Sequence, residues 1–246
     1  MRVKLKLSYD GTDYCGWQRQ TNAKLPSLQA CLEEGLEKIF KTPVRCISSG
    51  RTDAGVHAME QVVHFDAPKD PSRINFVKAF EGVLPPTMVV HSSEIVASDF
   101  HALLSAKAKR YRYVISTHSN GPTFLRRYCH WYPYPFRLDQ LHELAAVLPG
   151  KHDFKSFQSV GTEVPNTIRS IYKAEWIQKR PHLYYFEITG NGFLKQMVRN
   201  IVGTQLYFMQ KGRSRKELEE LLLLKDRTKA GYAAPAQGLM LVKVYY

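Results

Sequence analysis

The stretch SSGRTDAGVHA, Ser48 to Ala58, places one carboxylate, Asp53, between Gly50 and Gly55, with Arg51 two residues before it. Glycines on both shoulders allow positive φ on either side, so a tight loop can hold a carboxylate away from a sheet in a fixed orientation. A carboxylate held in that way can act as a nucleophile. The same residues also suit a plain Asp-Ala-Gly turn closed by a local side-chain bond. A structural hydrogen bond is the role expected for His57.

Two other stretches bear on that choice. AKRYRYVI alternates Arg110 and Arg112 with Tyr111 and Tyr113, so a strand there shows cations on one face and rings on the other. This can be a core strand with a charged outer face. It can also offer a ring to a base with cations near phosphates. NGFLKQMVRNIVG reads as a helix from Phe193 to Met209, its apolar stripe including Phe193, Met197 and Ile201, with Arg199 set among apolar neighbours. A buried arginine needs a carboxylate partner, and Asp53 is a candidate for it. Pairing would favour the ionised carboxylate.

Other chemistries lack their parts. LSYDGTDY resembles the D-x-D-G-T loop of a phosphatase superfamily, but Ser8 stands where the nucleophilic aspartate belongs, so Asp10 and Gly11 are read as a turn. His57 and His64 are not spaced as a helical zinc pair and have no acidic cluster beside them. GNG before Phe193 lacks the spacing of a dinucleotide loop. Neither metal nor cofactor is therefore expected.

The chain of 246 residues carries 35 Lys and Arg against 22 Asp and Glu, a formal net charge of +13. That excess points to a polyanionic partner. With 14 Tyr and 12 Phe interleaved among the cations, RNA is favoured over a membrane surface or DNA. Cys15, Cys31, Cys46 and Cys129 form no C-x-x-C pair, which suits a reduced, intracellular protein. MRVKLKLSYDG has no long apolar run and LEELLLLK is too short to span a bilayer, so a cytoplasmic protein is expected.

The elements that must position these residues fall into two α/β halves. Val3, Leu5 and Leu7 alternate as a strand; Ser27 caps a helix whose stripe is Leu28, Cys31, Leu32, Leu36 and Ile39. Strands follow at Val44 to Ser48 and through Val62, Val63 and Phe65, then a short helix from Arg73 to Val83 and a strand from Met88 to Val96. Strand, helix, strand, strand, helix, strand is the ferredoxin-like order, shared by RRM-like modules, with a mainly antiparallel sheet flanked by helices. The second half repeats it loosely: a strand at Tyr111 to Ile115, helices at Leu138 to Leu148, Phe193 to Met209 and Ser214 to Leu224, and strands at Ile168 to Ile177, Leu183 to Thr189 and Gln237 to Tyr246. The seam is placed near Ser98 to Lys109, giving domains 1–105 and 106–246 around a central basic cleft.

Taken together, YDGTDYCGWQRQ, SSGRTDAGVHA, KRYRY, NGFLKQMVRNIVG and DRTKAGYAAPAQGLMLVKVYY resemble the tRNA pseudouridine synthases of the TruA type, along most of the chain and in order. The resemblance implies a cofactor-free isomerase that detaches uracil from its ribose, rotates it and rejoins it through C5. The implied substrate is uridine at positions 38, 39 and 40 of the tRNA anticodon stem-loop, and the implied assembly is a homodimer. By motif match Asp53 is the nucleophile, attacking C6 of the base or C1′ of the sugar. Tyr111 stacks on the target base, Arg199 pairs with the aspartate, and Arg51 fills the space left by the flipped nucleotide. Lys109 and Arg110 are placed among the tRNA contacts. The family often has an arginine after FHA, where this chain has Leu103; Lys107 or Lys109 could supply that contact. The rival reading is a non-catalytic RNA-binding protein or chaperone, which needs the basic surface and rings but not Asp53.

Overall fold

The computed structural model describes residues 1–21, 23–161 and 164–246. The chain divides into two compact units, one formed by Met1–Lys107 with Met240–Tyr246, the other by Ala108–Leu239.

Unit 1 begins with β1, Arg2–Tyr9, whose inward positions Val3, Leu5, Leu7 and Tyr9 are all buried, as strict alternation predicts. Ser27 caps α1, Leu28–Phe40, its hydroxyl accepting from the Ala30 N–H at 3.1 Å. The buried stripe of α1 is Leu28, Leu32, Leu36 and Phe40, while Cys31 lies at its margin and is half-buried. Each fully buried leucine contributes roughly 1.5–3 kcal/mol by area removed from water, an upper bound. Strand β2, Cys46–Ser48, pairs antiparallel with β3, His57–Asp66.

Helix α2 runs only Phe76–Phe80, shorter than the span Arg73 to Val83 read from the pattern. Asn75 caps its start, and the chain leaves helical geometry at Glu81 before Gly82 turns at φ +75. Strand β4, Met88–Val96, follows on the expected residues. The antiparallel order β4, β1, β3, β2 is the ferredoxin-like one. Phe40, Phe65 and Phe76 meet edge-on or tilted within 6.0 Å and seal the helix layer to the sheet.

Unit 2 carries β5 (Ala108–Ser116), β6 (His130–Trp131), α3 (Leu138–Ala145), β7 (Gly150–Asp153), β8 (Ile168–Arg180), β9 (Leu183–Gly190), α4 (Met197–Lys211) and α5 (Arg215–Leu224). Its sheet has the order β7, β8, β9, β5, antiparallel throughout, with β6 parallel to the end of β5. Helix α3 stops at Ala145 because its last turn tightens, Leu148 N–H bonding the Ala145 carbonyl three residues back. Ser214 and Glu217 form a reciprocal capping box at the start of α5. The last strand, β10 (Leu239–Tyr245), returns to unit 1, where Met240 and Leu241 pair parallel with His57 and Ala58.

Helix α4 begins four residues later than the apolar pattern suggests. Gln196 sits at φ 57, in the left-handed region, and the first helical bond runs from Asn200 N–H to the Gln196 carbonyl. Phe193 is thereby released from the helix.

Candidate functional site

Asp53 sits in the loop between β2 and β3, half-buried. Its carbonyl accepts from Val56 N–H at 3.1 Å, closing a turn in which Gly55 takes φ +77. Only one of the two bracketing glycines has the expected conformation, because Gly50 is not at positive φ. Gly50 is held instead through its carbonyl.

A second loop supports the first. Gly16 and Asp53 form an isolated antiparallel bridge, and Trp17 N–H donates to the Thr52 carbonyl at 3.0 Å. Gly16 adopts φ +107, and a Cβ there would lie 2.8 Å from the Thr52 carbonyl oxygen, so only glycine fits. Gly11 is pressed harder still, since a Cβ would fall 2.1 Å from the Val56 carbonyl oxygen. These two glycines let YDGTDYCGWQRQ lie against the Asp53 loop.

Beneath the loop runs a buried polar network. The Tyr9 hydroxyl and Thr52 Oγ1 are 2.9 Å apart. Gln61 donates from Nε2 to the Gly50 carbonyl at 2.9 Å, and its Oε1 accepts from Ser49 Oγ at 2.6 Å. Ser49 N–H donates to the Val62 carbonyl at 2.7 Å. Burial pushes the Tyr9 phenol up to about 12, with its hydrogen bonds acting the other way. The Ser49–Thr52 segment leading into Asp53 is thus tied to β1 and β3. Sequence reasoning missed Tyr9, Gly16, Thr52 and Gln61; a glutamine amid the apolar run QVVHF was the one available signal. Arg51 is exposed. His57 is buried, and its Nδ1 accepts from Gly11 N–H at 3.1 Å with Asp10 Oδ1 at 3.2 Å, which fits the structural role expected of it. Asp10 Oδ1 accepts from Thr12 N–H at 3.0 Å, forming the anticipated turn.

The remaining predicted residues belong to unit 2. Tyr111 is on β5 with 8% of its surface exposed, and the Phe193 ring stands edge-on to it at 5.0 Å. That contact corrects the reading of Phe193 as a helix-stripe residue. Lys109 shares the Tyr111 face of the strand and Arg110 lies on the opposite one. Lys109 is itself buried, and desolvation, with the nearby Arg169 charge second, lowers its ammonium to about 8. The Nε of Arg110 is buried without a hydrogen bond among the described residues. Arg112 is a structural cation: it donates to Glu187 directly across the ladder at 2.7 Å and lies over the Tyr185 ring.

Arg199 occupies the first turn of α4, half-buried, and its Nε donates to the Ala234 carbonyl at 2.7 Å. Ala234 N–H returns a bond to the Arg199 carbonyl at 3.0 Å. One helical turn on, a Cβ on Gly203 would fall 1.9 Å from the Tyr232 carbonyl oxygen, so glycine admits the AGYAAPA segment against the helix. Thr204 Oγ1 accepts from Gly231 N–H at 3.0 Å, and Arg227 bridges the Gly231 carbonyl and Asn200 Oδ1. Tyr113 fixes the next residue by donating to the Pro235 carbonyl at 2.8 Å. The arginine is therefore oriented by a segment 35 residues away in sequence.

A family model described as tRNA pseudouridine synthase matches residues 7–118 and 144–246. The chain belongs to that family. It is 47% identical over 248 residues to a tRNA pseudouridine synthase A of Bdellovibrio bacteriovorus, covering all of this chain and 95% of the relative. Identity is 44% to the tRNA pseudouridine synthase A of Geobacillus kaustophilus and 39% to that of Ruminiclostridium cellulolyticum, with 94% and 99% of those chains covered. Among solved structures, a Cbf5-Nop10-Gar1 complex is similar at TM-score 0.43 and 10% identity, over 97% of this chain and 48% of that one. Both supported loops of unit 1, the Tyr111 strand and the Arg199 helix with its AGYAAPA segment fall within the residues matched to the pseudouridine synthase family.

No helix among the described residues is long and apolar enough to cross a membrane, and no group of three or more His, Cys, Asp or Glu is placed to hold a metal ion.

Proposed function

We propose that this protein isomerises uridine to pseudouridine at positions 38, 39 and 40 of the tRNA anticodon stem-loop, with Asp53 as nucleophile. The observation that carries the reading is the anchorage of the Asp53 loop within a chain of this family. Its neighbours Gly50 and Thr52 are each fixed by a buried side chain, and Gly16 bridges Asp53 itself. A plain surface turn does not require two loops and a buried network to hold one carboxylate.

The reaction conserves atoms and oxidation state. The C1′–N1 bond breaks, the uracil rotates, a C1′–C5 bond forms and the C5 proton is lost while N1 gains one. Flipping the target nucleotide out of its stack costs about a few kcal/mol, which Arg51, exposed beside the nucleophile, offsets by filling the gap. Tyr111 offers its ring to the flipped base, Arg199 is the cation that favours the ionised nucleophile, and Lys109 and Arg110 contact the RNA backbone. The active form in this reading is a cytoplasmic homodimer with tRNA, not DNA or membrane, as its partner.

The test is release of the C5 proton from uridine in anticodon stem-loop RNA. Asp53→Asn should bind the RNA and lose turnover. Normal turnover by that variant would overturn Asp53 as the nucleophile, and RNA binding without turnover by wild type would leave the non-catalytic RNA-binding reading in place.

A further inference from the structure

Lys109 and Arg169 stand on one face of the unit 2 sheet, for Gly190 pairs with Lys109 on one side and with Ile171, two residues from Arg169, on the other. Lys109, on β5, has 8% of its surface exposed, and its ladder partner Gly190 offers it no side chain. Arg169, on β8, is the charged group that acts on it. The Arg169 Nη1 donates to the carbonyl and side-chain oxygens of Asn166, each at 3.2 Å, and to the Ile168 carbonyl at 2.6 Å. Those acceptors are neutral. Among the described residues neither cation has a carboxylate partner. Two desolvated like charges on one sheet face oppose folding, and the energetic remedy is an anion.

The ground beside Arg169 is built to receive one. Arg169, Lys151, Asn166, Ser170 and Asn191 line an open cavity of about 460 Å³. Its rim is fixed by a reciprocal pair: Asn191 N–H donates to the Ser170 carbonyl and Ser170 N–H to Asn191 Oδ1, each at 3.0 Å. The Arg169 stem passes Gly192, where a Cβ would stand 3.5 Å from Cδ. A guanidinium with part of its fork uncommitted, on the same sheet face as Lys109, matches the charge and multiple acceptors of a phosphodiester. Lys109 is also two residues from Tyr111 on one strand face, about 6.6 Å along the strand.

We propose that Lys109 and Arg169 form a phosphodiester subsite holding the backbone phosphate next to the uridine whose base meets Tyr111. The subsite fixes the sugar-phosphate of the flipped nucleotide and reads no base, so it serves any target uridine equally. This inference rests on the proposed synthase reading.

The test uses the full chain and an anticodon stem-loop RNA with a neutral methylphosphonate at the linkage beside the target uridine. That RNA should bind wild type at least tenfold more weakly than the native RNA, and the Lys109→Gln, Arg169→Gln double variant should bind both alike. The double variant should also lower the slope of log affinity against log salt by about 0.7 to 0.9, the loss of one phosphate contact. Equal binding of the two RNAs by wild type overturns the subsite, and that arm needs no variant to fold. Saturable binding of inorganic phosphate at Lys109, with no methylphosphonate effect, overturns it too, since the site would then serve a free anion. Wild type that turns over native RNA while failing the methylphosphonate test loses the subsite alone. Wild type that releases no C5 proton from native RNA loses the synthase reading itself.

Discussion

Gly16 and Asp53 form a single antiparallel bridge joining the two loops that flank the proposed nucleophile. At φ +107, Gly16 has no room for a Cβ beside the Thr52 carbonyl. Gly16→Ala should displace the Thr52–Ala54 backbone, and a misplacement near 1 Å costs about 100-fold in rate. We expect turnover to fall by that order, RNA binding to change by a few-fold at most, and stability to drop by ~1–3 kcal/mol. Single-turnover C5 proton release beside a binding titration checks this; equal loss of binding and rate would mean the bridge shapes the RNA surface as a whole.

The network under the loop predicts a different pattern. Gln61→Leu keeps the side-chain volume but strands the buried Ser49 hydroxyl, takes a donor from the Tyr9 hydroxyl, and leaves the half-buried Gly50 carbonyl with Ser48 Oγ alone. Each buried group left unsatisfied costs about 1–3 kcal/mol. Tyr9→Phe removes the hydroxyl bond to Thr52 and a longer one from Gln61 Nε2 at 3.4 Å, about 1 kcal/mol for the shorter and less for the longer. Denaturant midpoints should therefore rank Gln61→Leu below Tyr9→Phe, and both below wild type. The reverse order would show that Thr52, not Gly50, is the shoulder that matters.

How much of this was written in the sequence depends on whether the cause is local. The alternation of Val3, Leu5 and Leu7, the Ser27 cap and the short helix after Ser214 are decided by neighbours within a few residues, and each stands where its pattern puts it. Gln61 and Gly50 find each other across a strand turn, and Arg199 and Ala234 across 35 residues, so no periodicity announces either pair. Gln196 shows the converse failure. An apolar run with helical spacing was broken by one left-handed residue, a conformation for which glutamine carries no signature. The return of β10 to pair with His57 and Ala58 is equally silent, because a strand's pattern states which face is buried and not which neighbour it meets.

Gln196 offers its own prediction. A non-glycine residue in the left-handed region costs roughly 1–2 kcal/mol. Gln196→Gly should relieve most of that and lose the Ser159 bond to Gln196 Oε1 at 2.7 Å, leaving stability within about 1 kcal/mol of wild type. Gln196→Val should be far worse, since a β-branched side chain resists φ 57. If the valine variant also loosens the turn, Phe193 should leave Tyr111, and RNA affinity should fall with stability. Valine tolerated without loss in the melting temperature would show that the helix can start at Phe193 after all.

Lys109 sets stability against binding, and the sign can be worked out. Its ordinary value is 10.5, and burial, with the Arg169 charge as a second cause, lowers it to about 8. Between those values the unfolded chain binds more protons, so stability rises with pH across the window. Below about 8 the folded protein carries the whole penalty, up to ~3 kcal/mol. Lys109→Met should therefore raise the melting temperature at neutral pH, and the gain should fade as pH approaches 10.5. The same variant should weaken RNA binding, because the ammonium is the proposed phosphate ligand. For wild type, phosphate must draw a proton back onto Lys109 once pH passes about 8, so RNA affinity should fall there. Lys109→Arg, charged at every accessible pH, should lose that dependence. A Lys109→Met variant that melts lower than wild type would mean the lysine already has its counter-charge in the folded chain, and the phosphate would then have no vacancy to fill.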